Sequence, residues 1–336
     1  MQNMTVIAKT IEKTTEHLRR FNFQRDLQSV ADLIESCFAG TMDIDGERYI
    51  RQMRNAARNA GLLRWAGSMA EPSILPMAGL VWEEDGKVVG NLTLIQFSIR
   101  GQRCNLIANV AVHPDYRRRG IARALTQAGI QQAQDRHVSA VWLQVREENQ
   151  AAYNLYRSLQ FYERFRRSIW HLQPDTSLVT LAKPVPPVST DIKVISRRGQ
   201  DWLQQESWLK RIYPPEITWH MPYNKLAFQP GFLGVLYRIF TDCQIRQWSA
   251  WKNGELLGII GWQKYYGQAD RAWLATPPTV DPEGLYSLIF TLCQRAYDRR
   301  LIILDYPAHQ GEEAIRTLGF TISQNLVWME YPLARP

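Results

Sequence analysis

The sequence predicts a mixed α/β (α+β) protein built as two domains, and three observations carry that expectation. Apolar residues alternate with period two from about Met77 to Val112 and change to the helical period after Gly120. Asp85-Gly86 stands between two strand-like runs, a strong short-range hairpin signal. The chain has 336 residues, roughly twice the usual domain length, and its second half repeats parts of the first.

Taken in order, residues 1–17 are polar and charged, a loose arm or a short helix. His17 to Phe23 alternates as a first strand, and Asp26 is placed to cap a helix with Leu27, Val30, Ala31, Ile34 and Phe38 on one face, ended by Gly40. A second helix is expected from about Asp45 to Ala60, with Tyr49, Met53, Ala56, Ala57 and Ala60 on one side. Its other side carries Arg48, Arg51, Arg54 and Arg58, either a solvated basic face or a binding surface for an acidic acceptor or for phosphates. Leu80–Glu84 and Lys87–Ile99 form the hairpin, and Arg100-Gly101 turns the chain into Arg103–Val112. Val138–Arg146 is expected parallel to that strand, because a helix crosses between them. Asn149 opens a short helix with Ala152, Leu155, Tyr156 and Leu159 on one face, and Phe161–Leu172 returns as a strand. Four prolines between Pro174 and Pro187 mark 174–190 as a linker, which divides the chain into 1–173 and 191–336.

A composition 45% apolar with 12 Trp, 14 Tyr and 11 Phe can fill real cores and argues against disorder. Cys37, Cys104, Cys243 and Cys293 lie far apart, without zinc-ligand spacing, and suit reduced thiols in a cytoplasmic protein. The N-terminus lacks the apolar stretch of a signal peptide, and no run reaches membrane-spanning length. The formal charge of +8 is scattered and accompanies no nucleic-acid-binding motif, which argues against that class. The same positive field would steer a small polyanion to a cleft.

The stretch Asn109–Leu125, NVAVHPDYRRRGIARAL, organises the rest. Val110 and Val112 end a strand, His113-Pro114-Asp115 turns, and Gly120 opens a helix carrying Ile121, Ala124, Leu125 and Ala128 on one face. A helix start offers unpaired amides and the positive end of the dipole, and a glycine lets an anion approach the main chain. Arg117, Arg118 and Arg119 stand at the loop and Arg123 follows one turn on, which favours a polyanion.

The pattern Arg117-x-x-Gly120-x-Ala122 after VAV-HPDY resembles the acyl-CoA pyrophosphate loop of the GCN5-related N-acetyltransferase (GNAT) superfamily. The resemblance implies acetyl-CoA as acyl donor and an amine acceptor, either a small molecule or a protein N-terminus or lysine. It matches Val110, Ala111 and Val112 to the strand that pairs with the pantetheine arm and polarises the acetyl carbonyl. Arg118, Arg119, Gly120, Ile121, Ala122 and Arg123 match the loop around the pyrophosphate, with Arg117 at its entry. Asn149 matches an asparagine near the pantetheine, and its alternative is a plain helix cap. Tyr156, in NLYRSLQF, resembles the family's LYxxxGF segment, whose tyrosine protonates the leaving thiolate; its alternative is a core tyrosine, since it falls on an apolar helix face.

Two departures stand out. LQVREEN resembles the LEVRxxN of bacterial ribosomal-protein N-terminal acetyltransferases, but Gln144 replaces the glutamate that serves there as general base. The proton must then go by way of water to Glu147, Glu148, Glu83 or another carboxylate, or the amine must arrive neutral. Gln160 stands where the family has a glycine.

The second half matches the first in one order: Asn253-Gly254 to Asp85-Gly86, Arg271 to Arg103, Asp298-Arg299 to Asp135-Arg136, and Leu318-Gly319-Phe320 to Leu159-Gln160-Phe161. Where the first copy has HPDYRRRGIA, the second has Pro277–Gly284 without arginines, and Ile315 aligns with Tyr156. The resemblance thus implies two tandem GNAT folds, each a twisted mixed sheet flanked by helices, with acetyl transfer in the first copy and no cofactor site in the second. The protein would be a monomer with an internal pseudo-dimer, or a homodimer. The rival expectation is a non-catalytic acyl-CoA-binding or partner-binding protein that kept the loop and lost the base.

Overall fold

The computed structural model describes residues 16–40, 42, 44–58, 78–174, 191–265, 269–296 and 300–333. The expected N-terminal arm up to residue 15, the end of the second helix beyond Arg58 and the linker from 175 to 190 lie outside the described residues. Packing divides the chain into two units that are not contiguous in sequence. One comprises Met1–Val145, Asn149–Arg164 and Trp328–Pro336; the other comprises Arg146–Glu148 and Phe165–Val327. The sequence-based division at 173 and 191 therefore places three segments differently: Arg146–Glu148, the run from Phe165, and the last nine residues.

The first unit contains β1 (Leu18–Arg20), α1 (Phe23–Phe38), α2 (Ile44–Arg58), β2 (Gly79–Glu84), β3 (Lys87–Ile99), β4 (Gln102–Val112), α3 (Ile121–Asp135), β5 (Ala140–Arg146), α4 (Gln150–Ser158) and the start of β6 (Tyr162–Leu172). Strands β1 to β4 pair antiparallel in order, and β5 joins β4 parallel after the α3 crossover. Asp85-Gly86 and Arg100-Gly101 all take positive φ, as the tight turns of a right-twisted hairpin require.

Asp26 does not cap α1. Asn22 does, its side chain accepting from the amides of Gln24 and Arg25 at 3.0 and 3.1 Å. Asp26 is buried and takes two hydrogen bonds from Arg19, at 2.6 and 2.8 Å, and one from the Asn22 amide at 2.7 Å. Arg19 and Arg25 also reach Glu83, at 2.6 and 2.7 Å, so one ionic cluster ties β1, α1 and β2. Burial opposes the Asp26 charge, but the Arg19 and Asn22 hydrogen bonds outweigh it and hold the carboxyl below its usual range. The basic row on α2 is partly neutralised in place: Arg54 bonds Asp32 and Glu35 of α1 at 2.6 Å each, and Arg51 lies 3.5 Å from Glu47.

The last residues of the chain complete this unit. The Leu333 amide donates to Ser139 O at 3.1 Å, Tyr331 packs on Phe161 at 5.5 Å, Arg164 pairs with Glu330 at 2.6 Å, and Trp328 is buried.

The second unit holds β7 (Ile192–Ser196), α5 (Trp202–Ile212), the short helices α6 (Pro215–Thr218), α7 (Lys225–Phe228) and α8 (Phe232–Phe240), then β8 (Ile245–Lys252), β9 (Glu255–Gln263), β10 (Ala269–Ala275), α9 (Pro282–Arg295), β11 (Leu301–Pro307), α10 (Glu312–Thr317) and β12 (Thr321–Pro332), the last through Val327. From β8 onward the elements repeat β2 to β6 in order, and Asn253-Gly254 repeats the positive-φ turn. The registers correct one match. Leu106 pairs with Ile95 and Arg271 with Gln263, at the spacing that relates the two Asx-Gly turns. Arg271 therefore stands where the first copy has Leu106, not Arg103, because the β9–β10 connection is shorter than its counterpart.

Replacing Trp328 by alanine should destabilise the first unit by about 3–5 kcal/mol. Hydrogen exchange should rise around Ser139 and Phe161, and exchange confined to the second unit would contradict the assignment. The depressed folded-state pKa of Asp26 sets a sign: its stabilisation is full above the unfolded-state value of about 4 and is lost as pH falls through the folded value. Urea midpoints measured from pH 7 down to 2 should fall more steeply for the wild type than for Asp26→Asn, which loses about 1–3 kcal/mol at neutral pH because Arg19, still paired with Glu83, gives up its charged partner on α1.

Candidate active site

Strand β4 is bulged. Asn91 pairs with Ala111 and Thr93 with Ala108, so Asn109 and Val110 stand opposite Leu92 alone. Asn109 takes φ of 51°, a conformation that asparagine tolerates better than most residues. The buried Asn91 donates its Nδ2 to the Asn109 carbonyl at 2.9 Å, and Asn109 donates its own Nδ2 to the Tyr49 hydroxyl at 3.2 Å. The parallel ladder between β4 and β5 runs from Cys104/Ala140 to Ile107/Leu143 and stops. Val110, Ala111 and Val112 lie beyond it, with Ala111 buried and the two valines half-buried. The Val112 carbonyl accepts from Arg117 Nε at 3.2 Å and from Cys37 Sγ at 3.3 Å.

After the strand, Pro114–Tyr116 form one 3₁₀ turn, and Gly120 at φ 82° opens α3 with no side-chain cap. The first helical amide to bond is that of Ala124, to Gly120 O at 3.0 Å, so the amides from Arg118 to Arg123 have no backbone acceptor. A Cβ built on Gly120 would meet nothing within 4 Å. The four arginines divide their work. Arg117 braces the strand end; Arg119 donates to Asp115 O at 3.1 Å, lies 4.8 Å over the Tyr116 ring and 3.8 Å from Glu84; Arg123 donates to Ser158 at 2.7 Å. Arg118, at φ 65°, is exposed and makes no side-chain hydrogen bond or ion pair with the described residues. Ile121 is buried and anchors the helix, so only its amide can face a ligand; Ala122 is half-buried.

Asn149 caps α4, its oxygen accepting from Ala152 N at 3.1 Å, and its NH₂ group keeps no partner. Tyr156 is 6% exposed and its ring meets Phe161 edge-on at 5.9 Å. Its hydroxyl makes no hydrogen bond to the described residues, yet it is not among the buried oxygens sealed from solvent. Burial pushes the phenol well above its ordinary pKa. Gln160 adopts φ 66° and Gly319, its counterpart, φ 86°, so the turn after the helix is kept despite the side chain. Gln144 is exposed on β5. Among the carboxylates considered as bases, Glu83 is locked to Arg19 and Arg25 and held below its usual range by the Arg19 hydrogen bond first of all. Glu147 pairs with Arg166, and Glu148 is exposed without a partner.

The matching region of the second unit is closed by its own groups. Leu274 pairs with Ile260 without a bulge and gives its amide to the Tyr213 hydroxyl at 3.1 Å. Thr276 and Tyr306 bond at 2.6 Å, and Arg211 donates to the Thr276 and Pro277 carbonyls at 2.6 and 3.0 Å. Asp281 caps α9 through the Gly284 amide at 2.6 Å, a carboxylate where the first copy leaves an open helix start. Ile315, fully buried, fills the place of Tyr156.

A bulged strand that leaves its parallel neighbour, followed by an uncapped helix start, places a free strand edge beside a helix terminus suited to an anion. Residues 46–161 match the model of the acetyltransferase (GNAT) family. The GCN5-related N-acetyltransferase from Sphaerobacter thermophilus shares the fold over 95% of this chain and 96% of its own, with a TM-score of 0.52 at 16% identity. The [ribosomal protein bS18]-alanine N-acetyltransferase of Escherichia coli (strain K12) is 49% identical over 55 residues, 16% of this chain and 37% of that enzyme. That of Haemophilus ducreyi is 39% identical over 69 residues, 20% of this chain and 48% of that enzyme. The chain thus spans less than half the length of these curated relatives. Among the described residues no helix is long and apolar enough to cross a membrane.

Sequence reasoning missed Asn91, Asn109 and Tyr49. Their signal was an asparagine inside each of two apolar strands, GNLTL and IANVAV. Gln160→Gly should raise stability by about 1 kcal/mol, because it relieves a left-handed residue at an exposed turn. Thermal unfolding checks this, and an unchanged or lower midpoint would contradict it.

Proposed function

We propose that the first unit is an acetyl-CoA-dependent N-acetyltransferase that passes an acetyl group to a primary amine by direct attack in a ternary complex. The observation that carries the reading is the open anion cradle: six consecutive amides without acceptors, a glycine whose missing Cβ leaves free space, and the unpaired Arg118 beside them. These residues fit a diphosphate, and Arg117, Arg119 and Arg123 support the loop that presents them. The free edge at Val110, Ala111 and Val112 would pair with the pantetheine arm and polarise the acetyl carbonyl, and the spare NH₂ of Asn149 would meet the same arm.

The amine nitrogen attacks the carbonyl carbon, the carbon–sulfur bond breaks, and Tyr156 gives its proton to the departing sulfur. Its raised pKa keeps that proton in place until the thiolate forms. Gln144 cannot take the proton lost by the amine, and Glu83 and Glu147 are held in ion pairs. The amine therefore arrives neutral, and the proton that its nitrogen sheds in becoming an amide leaves through water. The acceptor class stays broad, a small amine or a protein N-terminus or lysine; the names of the curated relatives support the N-terminus, and Gln144 departs from that subfamily. We place the reaction in the cytoplasm and assign no acyl-CoA site to the second unit, since Asp281 and Tyr213 already occupy the groups that would bind it. The missing base favours a second reading, an acyl-CoA-binding protein without turnover.

Tyr156→Phe should lower turnover by about 10²-fold or more with acetyl-CoA affinity little changed, whereas Arg118→Ala should weaken binding several-fold with less effect on turnover. Thiol release over a panel of amines, set beside calorimetric binding, measures both. Binding of acetyl-CoA with no release on any amine would select the second reading.

A further inference from the structure

We propose that Asn91 and Tyr49 are positioning residues that hold the β4 bulge at Asn109, and through it the main chain that faces the acyl carbonyl. The inference rests on the acetyl-transfer reading above. A bulge is one of two registers open to an antiparallel pair, and here it is the strained one, because Asn109 sits at φ 51°. Something must tip the balance. Asn91 has 1% exposure, and its Nδ2 reaches the Asn109 carbonyl at 2.9 Å and Thr93 Oγ1 only at 3.4 Å. In the regular register that buried amide would lose its acceptor, at a cost comparable to the strain it offsets. From the other side, Tyr49 on α2 accepts from the Asn109 side chain at 3.2 Å. Its phenol is pushed up to about 12 by burial, so it stays neutral and hydrogen-bonded across the working pH range.

The chain contains its own control. In the second copy Ile259 pairs with Ala275, as Asn91 pairs with Ala111, and Leu274 alone stands where Asn109 and Val110 stand. Without the clamping amide the bulge is absent, and the strand runs in regular register through Leu274. Positioning matters for the chemistry because a carbonyl is stabilised by donors aimed at where charge develops, and an error of about 1 Å in such a group can cost about 10²-fold.

Three readouts test this on the full-length protein: calorimetric affinity for CoA and for acetyl-CoA, the ¹³C shift of carbonyl-labelled acetyl-CoA when bound, and hydrogen exchange at residues 109–112. Asn91→Leu should keep CoA affinity within about twofold, return the bound carbonyl shift toward the free value, speed exchange at those amides and lower kcat about tenfold with KM for acetyl-CoA changed less. Tyr49→Phe, which keeps the ring, should move every readout the same way by less, and it decides the matter if Asn91→Leu fails to fold. Carbonyl shift, exchange and kcat unchanged in Tyr49→Phe and in any folded Asn91 variant would overturn the proposal, as would loss of CoA and acetyl-CoA binding together. A wild type that binds neither molecule would instead sink the acetyl-transfer reading, and the exchange data would still show whether Asn91 holds the bulge.

Discussion

The first unit depends on one backbone irregularity. The parallel ladder of β4 with β5 ends at Ile107, as that of β10 with β11 ends at Ala272 without a bulge, so the fold itself leaves the strand edge unpaired and the bulge sets how the main chain of Ala108–Val112 is aimed along it. Two residues against one at Asn109 and Val110 turn the strand away, and the loop that follows begins from that turned direction. The uncapped start of α3 is useful because it sits at the end of this strand. Orphan amides at a helix terminus are ordinarily a cost, met by a side chain such as Asn22 on α1 or Asn149 on α4. Here Gly120 offers no such side chain, and the positions that could have supplied one carry arginines, which favour an external anion.

The second unit shows what the same fold does when that demand is lifted. Its bulge is gone, an aspartate caps its helix, and a tyrosine hydroxyl takes the amide of Leu274. Each change satisfies within the unit a polar group that would otherwise turn to solvent or a ligand. The first copy has the reverse economy, with Tyr156 buried but unpartnered and Arg118 unpaired.

Much of this was legible in the sequence because it is local. Glycine and asparagine turns set both hairpins, the period change placed α3, and the arginine-glycine spacing pointed to the cradle. What was not legible depends on partners distant in sequence. Asp26 reads as a cap until Arg19 is seen beside it; Arg54 reads as a free cation until Asp32 and Glu35 are seen across from it. Arg271 matched Arg103 by spacing, and only the strand register moved it by three places. Asn109 was invisible as a bulge because one sequence cannot tell a strand with an extra residue from a strand without one.

The first unit is completed by the far end of the chain. The first unit takes Trp328–Leu333 as part of its own structure, with Tyr331 against Phe161, Glu330 on Arg164 and the Leu333 amide on Ser139. Those residues lie at the far end of the other copy, so a chain that lost the second copy would lose them too. Without them Phe161, Arg164 and the Ser139 carbonyl would each lose a partner. The second unit keeps its apolar interior, with Leu274, Leu288, Leu304 and Ile315 fully buried, while the polar groups at its strand and helix ends bond one another.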